Sequence, residues 1–231
     1  MSIMILPTDT VYGIFTKKEN LHSQEGIYAL KNRLKSKKLA HYSMNWPFPI
    51  DPLGITVIYE DIAYRYGGNH YILEYHIKKY GELVGTSANL SGKYPITSTF
   101  HLPIEFRHEY IAEGRPSLGL ASTIIEILSL SRFEYEQLKD DKSLIDLDTW
   151  NNNKVGQYIT FFNNDEHYRN IYNQLKSKKI YIKVIRNGYV DMVDKTNTYE
   201  TQLAYNFWFD VHNNMYKKRD DSLSIYLQSL L

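Results

Sequence analysis

Three cationic side chains lie within seven residues of one another in the first quarter of this chain: Lys31, Arg33 and Lys37. Arginine offers a planar fork of N–H donors and lysine a compact charge, and both suit the phosphates of a nucleotide. The ordinary alternative is a solvated helix end, which is the only purpose we assign to Lys35 and Lys38. The cluster by itself therefore predicts a local anion site and leaves its ligand open.

Three further segments combine small hydroxyls, an amide and glycines. They are PTDTVYG at 7–13, GTSANLSG at 85–92 and GLASTIIE at 119–126. Each segment taken alone is typical of a turn or loop beside a strand. Hydroxyl and amide groups also suit a small zwitterion and the polar edge of a phosphate, because every buried polar group of a ligand needs a partner.

The four segments together, in this order, resemble the YrdC-like threonylcarbamoyl-adenylate synthase family, over roughly residues 3 to 127. Its signatures are P-T-[DE]-T-V-Y-G, K-x-R-x-x-x-[KN]-P-L, S-A-N-x-S-G and a later S-T. The resemblance implies an α/β fold, a YrdC-like twisted mixed sheet with helices and a concave basic surface. It also implies an enzyme, an L-threonylcarbamoyladenylate synthase, which is a nucleotidyltransferase of tRNA processing.

The implied reaction joins L-threonine, bicarbonate and ATP into threonylcarbamoyl-adenylate and releases pyrophosphate, for modification of a tRNA adenosine. The threonine amine captures carbon dioxide as a carbamate, and a carbamate oxygen then attacks the α-phosphate. Catalysis of this kind is mainly positioning and neutralisation of phosphate charge, so no covalent nucleophile is expected. Magnesium is expected to arrive with ATP. Beyond the three substrates, the expected partners are tRNA or tRNA-modification proteins.

By the same resemblance, two sets of residues contact the substrates. The threonine set is Thr10, Ser87 and Ser122. The ATP set is Lys31, Arg33, Lys37, Thr56, Asn89 and Thr97.

The chain also departs from the family pattern. Only sixteen residues separate Leu39 from Thr56, where a longer segment is usual, and an R-x-P segment is represented by Arg65 without its proline. An R-P-G segment is missing, with Arg132 as a shifted replacement. These departures keep two alternatives open: a catalytically weak nucleotide- or RNA-binding module, and a related carbamoyl transferase that uses another acceptor.

Composition excludes several other classes. The 231 residues carry a net charge of +1, so no overall field marks a general nucleic-acid or membrane-surface binder. With no cysteine, disulfides, thiolate zinc sites and cysteine nucleophiles are excluded. Phosphate-loop and H-E-x-x-H motifs are absent, and we predict no protein-bound metal. No run approaches the roughly 20 apolar residues of a membrane helix, which favours a cytoplasmic protein without membrane contact.

Periodicity places the motifs on elements of a first domain, a shortened YrdC-like catalytic domain over 1–130. We predict strands over 3–6, 55–59, 83–86 and 122–127, and a helix over 71–79 that ends near Gly81. A further helix is expected to be capped by Ser23 and to carry Ile27, Leu30 and Leu34, with a cationic last turn.

The remaining residues, 131–231, are predicted to form a smaller C-terminal α/β region of unknown function. The pattern there is a strand over 158–162, a helix over 166–176 and a strand over 180–185. At its end, a helical stripe of Leu203, Phe207, Val211 and Met215 predicts core or a docking surface.

Overall fold

A computed structural model describes residues 3–116, 118–141, 144–147 and 165–188. The predicted strand at 158–162 and the apolar stripe at 203–215 lie outside the described residues. The chain divides into two compact units, Met1–Val193 and Asp194–Leu231. All described residues belong to the first unit. None of its described helices is long and apolar enough to cross a membrane.

The described part of the first unit contains one mixed sheet. Its strands are β1 (Met4–Pro7), β2 (Tyr12–Lys17), β3 (Ala40–Ser43), β4 (Ile55–Tyr59), β5 (Ile62–Tyr66), β6 (Leu83–Ser87), β7 (Tyr110–Ile111), β8 (Thr123–Leu128), β9 (Leu144–Asp146) and β10 (Tyr181–Arg186). The order across the sheet is β7-β1-β2-β6-β3-β5-β4-β8-β10-β9. The neighbours β1/β7, β3/β5 and β4/β8 are parallel, and the other pairs are antiparallel. The predicted α/β class with a mixed sheet is confirmed.

Helices lie on both faces of this sheet. They are α1 (Leu21–Leu30), α2 (Tyr71–Tyr80), α3 (Arg132–Leu138) and α4 (Glu166–Lys176). Helices α1 and α4 pack on one face, which we call the closed face. Two clusters of buried side chains form its core: Ile5, Ile14, Ile27 and Val84 around α1, and Val57, Tyr64, Ile125, Tyr168 and Ile171 around α4. Burial of an apolar side chain contributes about 1.5–3 kcal/mol, so this face fixes the register of the strands.

The opposite face is covered only in part by the described helices. Residues of α2, such as Leu73 and Ile77, pack against Phe15 and Tyr42. Farther across the sheet, Tyr135 of α3 stacks on Tyr181 of β10, with ring centroids 4.5 Å apart. Between these two contacts the sheet presents Thr56, Arg65, Ile124 and Arg186, which we call the open face.

The first helix differs from its prediction at both ends. Asn20, not Ser23, is the N-cap, and its side chain accepts a hydrogen bond from the Ser23 backbone N–H at 3.0 Å. The helix stops at Leu30, and Asn32 adopts a left-handed φ of 47°. The predicted apolar position Leu34 is 67% exposed. The cationic residues therefore lie in a loop, residues 31–38, which we call the basic loop.

Several other predicted elements agree with the structure. The strand over 55–59 and the helix over 166–176 are confirmed at their bounds, and the helix beginning at Tyr71 ends before Gly81, whose φ is 82°. The short strands β3 and β5 were not predicted. Strand β10 pairs with β8, so the sheet continues across residue 130. The assignment of catalysis to residues 1–130 and of an unknown function to residues 131–231 stays a prediction.

Candidate functional site

The PTDTVYG segment forms the hairpin between β1 and β2. Its turn is closed by Thr8, whose Oγ1 donates to the Val11 carbonyl at 2.7 Å and accepts from the backbone N–H of Thr10 at 3.1 Å. Local side-chain-to-backbone bonds of this kind replace ladder bonds where a chain reverses. Hydrogen bonds within the turn thereby hold its backbone, and the side chains of Asp9 and Thr10 contact other elements.

Asp9 forms a buried ion pair with Arg65 of β5. The two side chains are 2% and 6% exposed. Arg65 also donates from Nη1 to Oγ1 of Thr10 at 3.0 Å, and Gly54 donates its backbone N–H to Asp9 Oδ2 at 2.9 Å. Burial alone lowers the pKa of Arg65, but the neighbouring Asp9 charge and the Tyr42 hydroxyl together more than offset this, and the pKa is raised. The arrangement therefore favours the charged form of Arg65.

A second polar contact lies one strand away. The hydroxyls of Thr56 on β4 and Ser122, just before β8, are 2.8 Å apart, and Arg186 of β10 donates from Nη2 to the Ser122 carbonyl at 2.6 Å. Gly54 joins this group to the ion pair, because its carbonyl accepts from the Thr123 N–H at 2.9 Å while its own N–H binds Asp9. Residue types and strand pairing thus build one continuous polar network on the open face.

Lys31 has a different environment from the one its charge predicts. It is 1% exposed, and its Nζ donates to the backbone carbonyls of Ser87 and Asn89. Burial, with a smaller contribution from Arg33, lowers the pKa of Lys31 to about 7. In this structure Lys31 therefore holds the S-A-N turn at the end of β6.

Asn89 is 8% exposed, and hydrogen bonds of its side-chain amide fix the orientation of the side chain. Its Nδ2 donates to the carbonyls of Leu90 at 3.0 Å and Lys93 at 2.6 Å. Its buried Oδ1 has no partner among the described residues. An unpaired buried acceptor costs about 1–3 kcal/mol, so this oxygen is suited to accept a hydrogen bond from a ligand.

The remaining cations of the basic loop lie nearer the surface. Arg33 donates from Nε to the Lys37 carbonyl at 2.8 Å and from Nη2 to the Lys38 carbonyl at 3.0 Å. The Lys37 side chain is exposed. Thr97 is exposed too, and a Cβ built on Gly119 would lie 3.9 Å from its Cγ2.

The structure brings the predicted residues together in two groups. Thr10, Thr56 and Ser122 share the open-face network, although Thr56 was assigned to ATP and the other two to threonine. Lys31, Ser87 and Asn89 form the second group, and β2–β6 pairing, with Gly13 opposite Ser87, connects it to the hairpin.

Three side chains of the network, those of Asp9, Arg65 and Arg186, were assigned to neither substrate from the sequence. The sequence does carry a signal for Arg65, which is a charged residue at an inward position of an otherwise apolar and aromatic strand. The sequence carries no such signal for Arg186, because the position of this residue depends entirely on the pairing of β10 with β8. Arg132, the replacement named from the sequence, is exposed at the start of α3.

The donor set of the site does not form a metal cage. No group of three or more His, Asp or Glu side chains suited to a metal occurs within the described ranges. Both carboxylate oxygens of Asp9 are already engaged, by Arg65 and Gly54. A magnesium ion at this site would therefore depend on phosphate oxygens of a nucleotide for its ligands.

The known proteins to which this chain is similar are solved structures. No protein-family model matches the chain, and no curated protein matches it. Among solved structures, Sua5 of P. abyssi complexed with L-threonine is 22% identical over 57% of this chain and 48% of its own length, with a TM-score of 0.48. The H234A/Y235A variant of the same protein is 21% identical over 54% and 46%, with a TM-score of 0.46.

YciO of E. coli is also similar, at 18% identity over 54% of this chain and 77% of its own length, with a TM-score of 0.45. Sua5 and YciO are structures of the YrdC-like family that the four motifs resemble. This chain matches a little under half the length of the Sua5 structures. All three TM-scores are below 0.5, so this similarity does not identify the reaction of this chain.

Proposed function

We propose that this protein makes threonylcarbamoyl-adenylate from L-threonine, bicarbonate and ATP, with release of pyrophosphate. The observation that carries the proposal is the convergence of separate motif segments. The turn with Asp9 and Thr10, the start of β4 with Gly54 and Thr56, and Ser122 just before β8 are joined by hydrogen bonds into one network around Arg65. Such a constellation of hydroxyls and guanidinium suits an amino acid with its carboxylate.

In this proposal the open-face network binds threonine, and the second group receives the nucleotide. The Oδ1 of Asn89 would accept an N–H of the ligand, and Arg33 and Lys37 would turn toward the phosphates. Lys31 would act indirectly, by holding the carbonyls of Ser87 and Asn89. A carbamate oxygen then bonds to the α-phosphorus and the bond to pyrophosphate breaks, so the protein's task is alignment and charge compensation.

The direct test is a pyrophosphate-release assay on the full chain, with ATP and magnesium present and threonine and bicarbonate supplied together or one at a time. We expect release only when both are present. Equal release after omission of either one would contradict the proposal. Serine serves as the matched substrate control: it lacks one methyl group, and loss of a methyl in a fitted pocket costs roughly 1–3 kcal/mol, so its kcat/KM should be lower.

A second candidate function is nucleotide binding without transfer. Two observations favour it: the Lys31 ammonium is buried on backbone carbonyls, and the Arg33 guanidinium is bonded within the basic loop. Calorimetry separates the candidates, because this second function predicts ATP binding that is independent of threonine, with no pyrophosphate release. A carbamoyl transferase for another acceptor would instead show bicarbonate-dependent release only with a different amine or hydroxyl compound.

A further inference from the structure

Of the two arginines on the open face, Arg65 has a carboxylate partner in Asp9 and Arg186 has none among the described residues. Asp9 is fully used, since Oδ1 binds Arg65 and Oδ2 accepts from the Gly54 N–H. Arg186 forms no ion pair with a carboxylate of the described residues. One positive charge is therefore left beside Ser122 without a counter-charge from this part of the chain.

A bulge helps to place Arg186 at Ser122. The antiparallel register of β10 against β8 runs regularly through Val184 opposite Ile125, then shifts so that Arg186 lies opposite Ile124. Such a shift adds a residue to one strand and changes the direction of the side chain that follows. Arg186 consequently reaches back to the carbonyl and hydroxyl of Ser122, at 2.6 and 3.5 Å.

Gly188 fixes the same segment from the other side. Its N–H donates to Oγ1 of Thr123 at 3.0 Å. A Cβ at this position would lie 2.4 Å from the Ala121 carbonyl oxygen and 2.4 Å from the Ser122 carbonyl carbon. Because both of these are backbone atoms, only a glycine allows the chain to approach so closely. The position of Arg186 is thus built by two independent features.

The guanidinium retains donors for a ligand. Both recorded hydrogen bonds come from Nη2, so Nε and Nη1 have no acceptor among the described residues. A guanidinium has five N–H donors in a fixed fork that matches a carboxylate or a phosphate. Burial and the nearby Arg65 charge lower the pKa of Arg186, and a bound anion would relieve the second of these effects.

We propose that Arg186, beside the Ser122 hydroxyl, binds an anionic group of the ligand, either a carboxylate or a phosphate. The identity of that ligand rests on the proposed function, whereas the anion site itself rests on the geometry above. Arg186 then supplies the arginine that the sequence lacks after β8, in place of Arg132. It also brings a residue from beyond 130 into the site.

The test compares Arg186→Gln with Arg132→Gln, which removes the same charge from an exposed position. Acetate and inorganic phosphate are titrated first at constant ionic strength, and their binding is monitored through the NMR signals of the arginine side-chain N–H groups. L-Threonine and ATP are titrated next by calorimetry. We expect anion affinity to fall roughly 10- to 100-fold in Arg186→Gln and to stay unchanged in Arg132→Gln. Loss confined to threonine assigns the carboxylate, and loss confined to ATP assigns the phosphate.

Two results would overturn the inference: wild-type protein that binds none of these anions, or a folded Arg186→Gln that binds them as the wild type does. If the wild type binds acetate or phosphate through Arg186 but neither threonine nor ATP, the proposed function fails and the anion site stands. Should Arg186→Gln not fold, Arg186→Lys decides, because it keeps the charge and one donor but loses the fork. It should bind severalfold more weakly, and unchanged affinity in that variant would refute a site built on the guanidinium fork.

Discussion

The basic loop and the open face both collect cations, but the chain assembles them differently. In the basic loop the charges are neighbours in sequence, and two of them are used on backbone carbonyls: Lys31 on Ser87 and Asn89, and Arg33 on Lys37 and Lys38. On the open face the arginines come from β5 and β10, which are far apart in the sequence. One is neutralised by Asp9, and the other has no carboxylate partner among the described residues.

The difference shows why a run of charges is a weak indicator of a binding site. Unsatisfied backbone carbonyls near a loop are available acceptors for its cations, either in the same loop, as for Arg33, or in a neighbouring turn, as for Lys31. Cations brought together by strand pairing meet wherever the sheet places them. Arg65 is buried there and needs the Asp9 charge, whereas Arg186 is exposed and keeps N–H donors that have no acceptor among the described residues. We therefore expect the open-face arginines to dominate both stability and anion binding, and the following experiments test that expectation.

The largest effect is expected from Arg65→Met. Removal of one partner from a buried ion pair leaves the other charge uncompensated and typically costs about 3–5 kcal/mol. Arg65 and Asp9 are both almost fully buried, so the free energy of unfolding, measured with urea, should fall by that amount. Arg33→Met, in the basic loop, should lower the free energy of unfolding by less than about 1.5 kcal/mol. The carbonyls of Lys37 and Lys38, which accept from Arg33, can form hydrogen bonds with water instead.

The double variant Asp9→Asn/Arg65→Met checks the cause. If the unpaired carboxylate is responsible, the second substitution should restore part of the lost stability, since a neutral amide at position 9 no longer carries a buried charge. Strictly additive losses from the two substitutions would contradict a coupled ion pair.

Lys31→Met should have the next largest effect. It leaves the Ser87 and Asn89 carbonyls without their donor, which costs about 1–3 kcal/mol in free energy of unfolding. The contribution of Lys31 to stability should also depend on pH in a characteristic way. Because burial lowers the folded-state pKa of Lys31 to about 7, the unfolded chain binds a proton above pH 7 that the folded chain does not.

Wild-type stability should therefore gain from this group as pH rises from 7 toward 10, by at most about 1.4 kcal/mol per pH unit, and gain nothing from it below pH 7. The Lys31→Met protein should lack this contribution. Urea unfolding of both proteins at pH 7, 8 and 9 measures the difference. Parallel curves would show that Lys31 stays charged in the fold.

Much of the fold could be predicted because its elements have strong local patterns. The β-branched and aromatic run Ile55–Tyr59 is buried at four of its five positions and is confirmed at its bounds, and Gly81 ends α2 with a positive φ. The helix near Ser23 was misplaced because Asn20, three residues earlier, is an equally good cap and captures the Ser23 N–H. Strands β3 and β5 are short and contain polar or charged residues, and their stability comes from neighbours rather than pattern.

The candidate site was predictable only where its residues stand inside motifs. Thr10, Thr56 and Ser122 were named from the sequence and do share one network. The division of these residues between threonine and ATP stays a prediction. Arg186 shows the limit most clearly: its place beside Ser122 needs a strand pairing, a bulge and the close approach of Gly188, none of which leaves a local signal.

Gly188→Ala should reproduce part of the Arg186 effect without removing a charge. The added methyl meets the backbone of Ala121 and Ser122, and overpacking of this kind costs about 1–3 kcal/mol. As the strand end moves away, Arg186 should lose its contact with Ser122, and phosphate or acetate affinity should fall along with the melting temperature. Gly81→Ala is the control: nothing lies within 4 Å of a Cβ there, so any loss comes only from its φ of 82°. Anion affinity that survives in Gly188→Ala would show that Arg186 is held by the bulge alone.

The smallest effect is expected in the basic loop, where Arg33→Ala tests whether cations adjacent in sequence contribute to ATP binding at all. To reach a phosphate, Arg33 must give up its bonds to the carbonyls of Lys37 and Lys38, so only the difference between the two sets of bonds remains as affinity. A net hydrogen-bond contribution of about 0.5–1.5 kcal/mol corresponds to a roughly twofold to tenfold weaker ATP affinity by calorimetry. Lys38→Gln, which removes a charge from the same loop at a residue outside the ATP set, should change it less. A loss larger for Arg33→Ala than for Arg186→Gln would reverse the comparison, and the basic loop would then be the principal phosphate site.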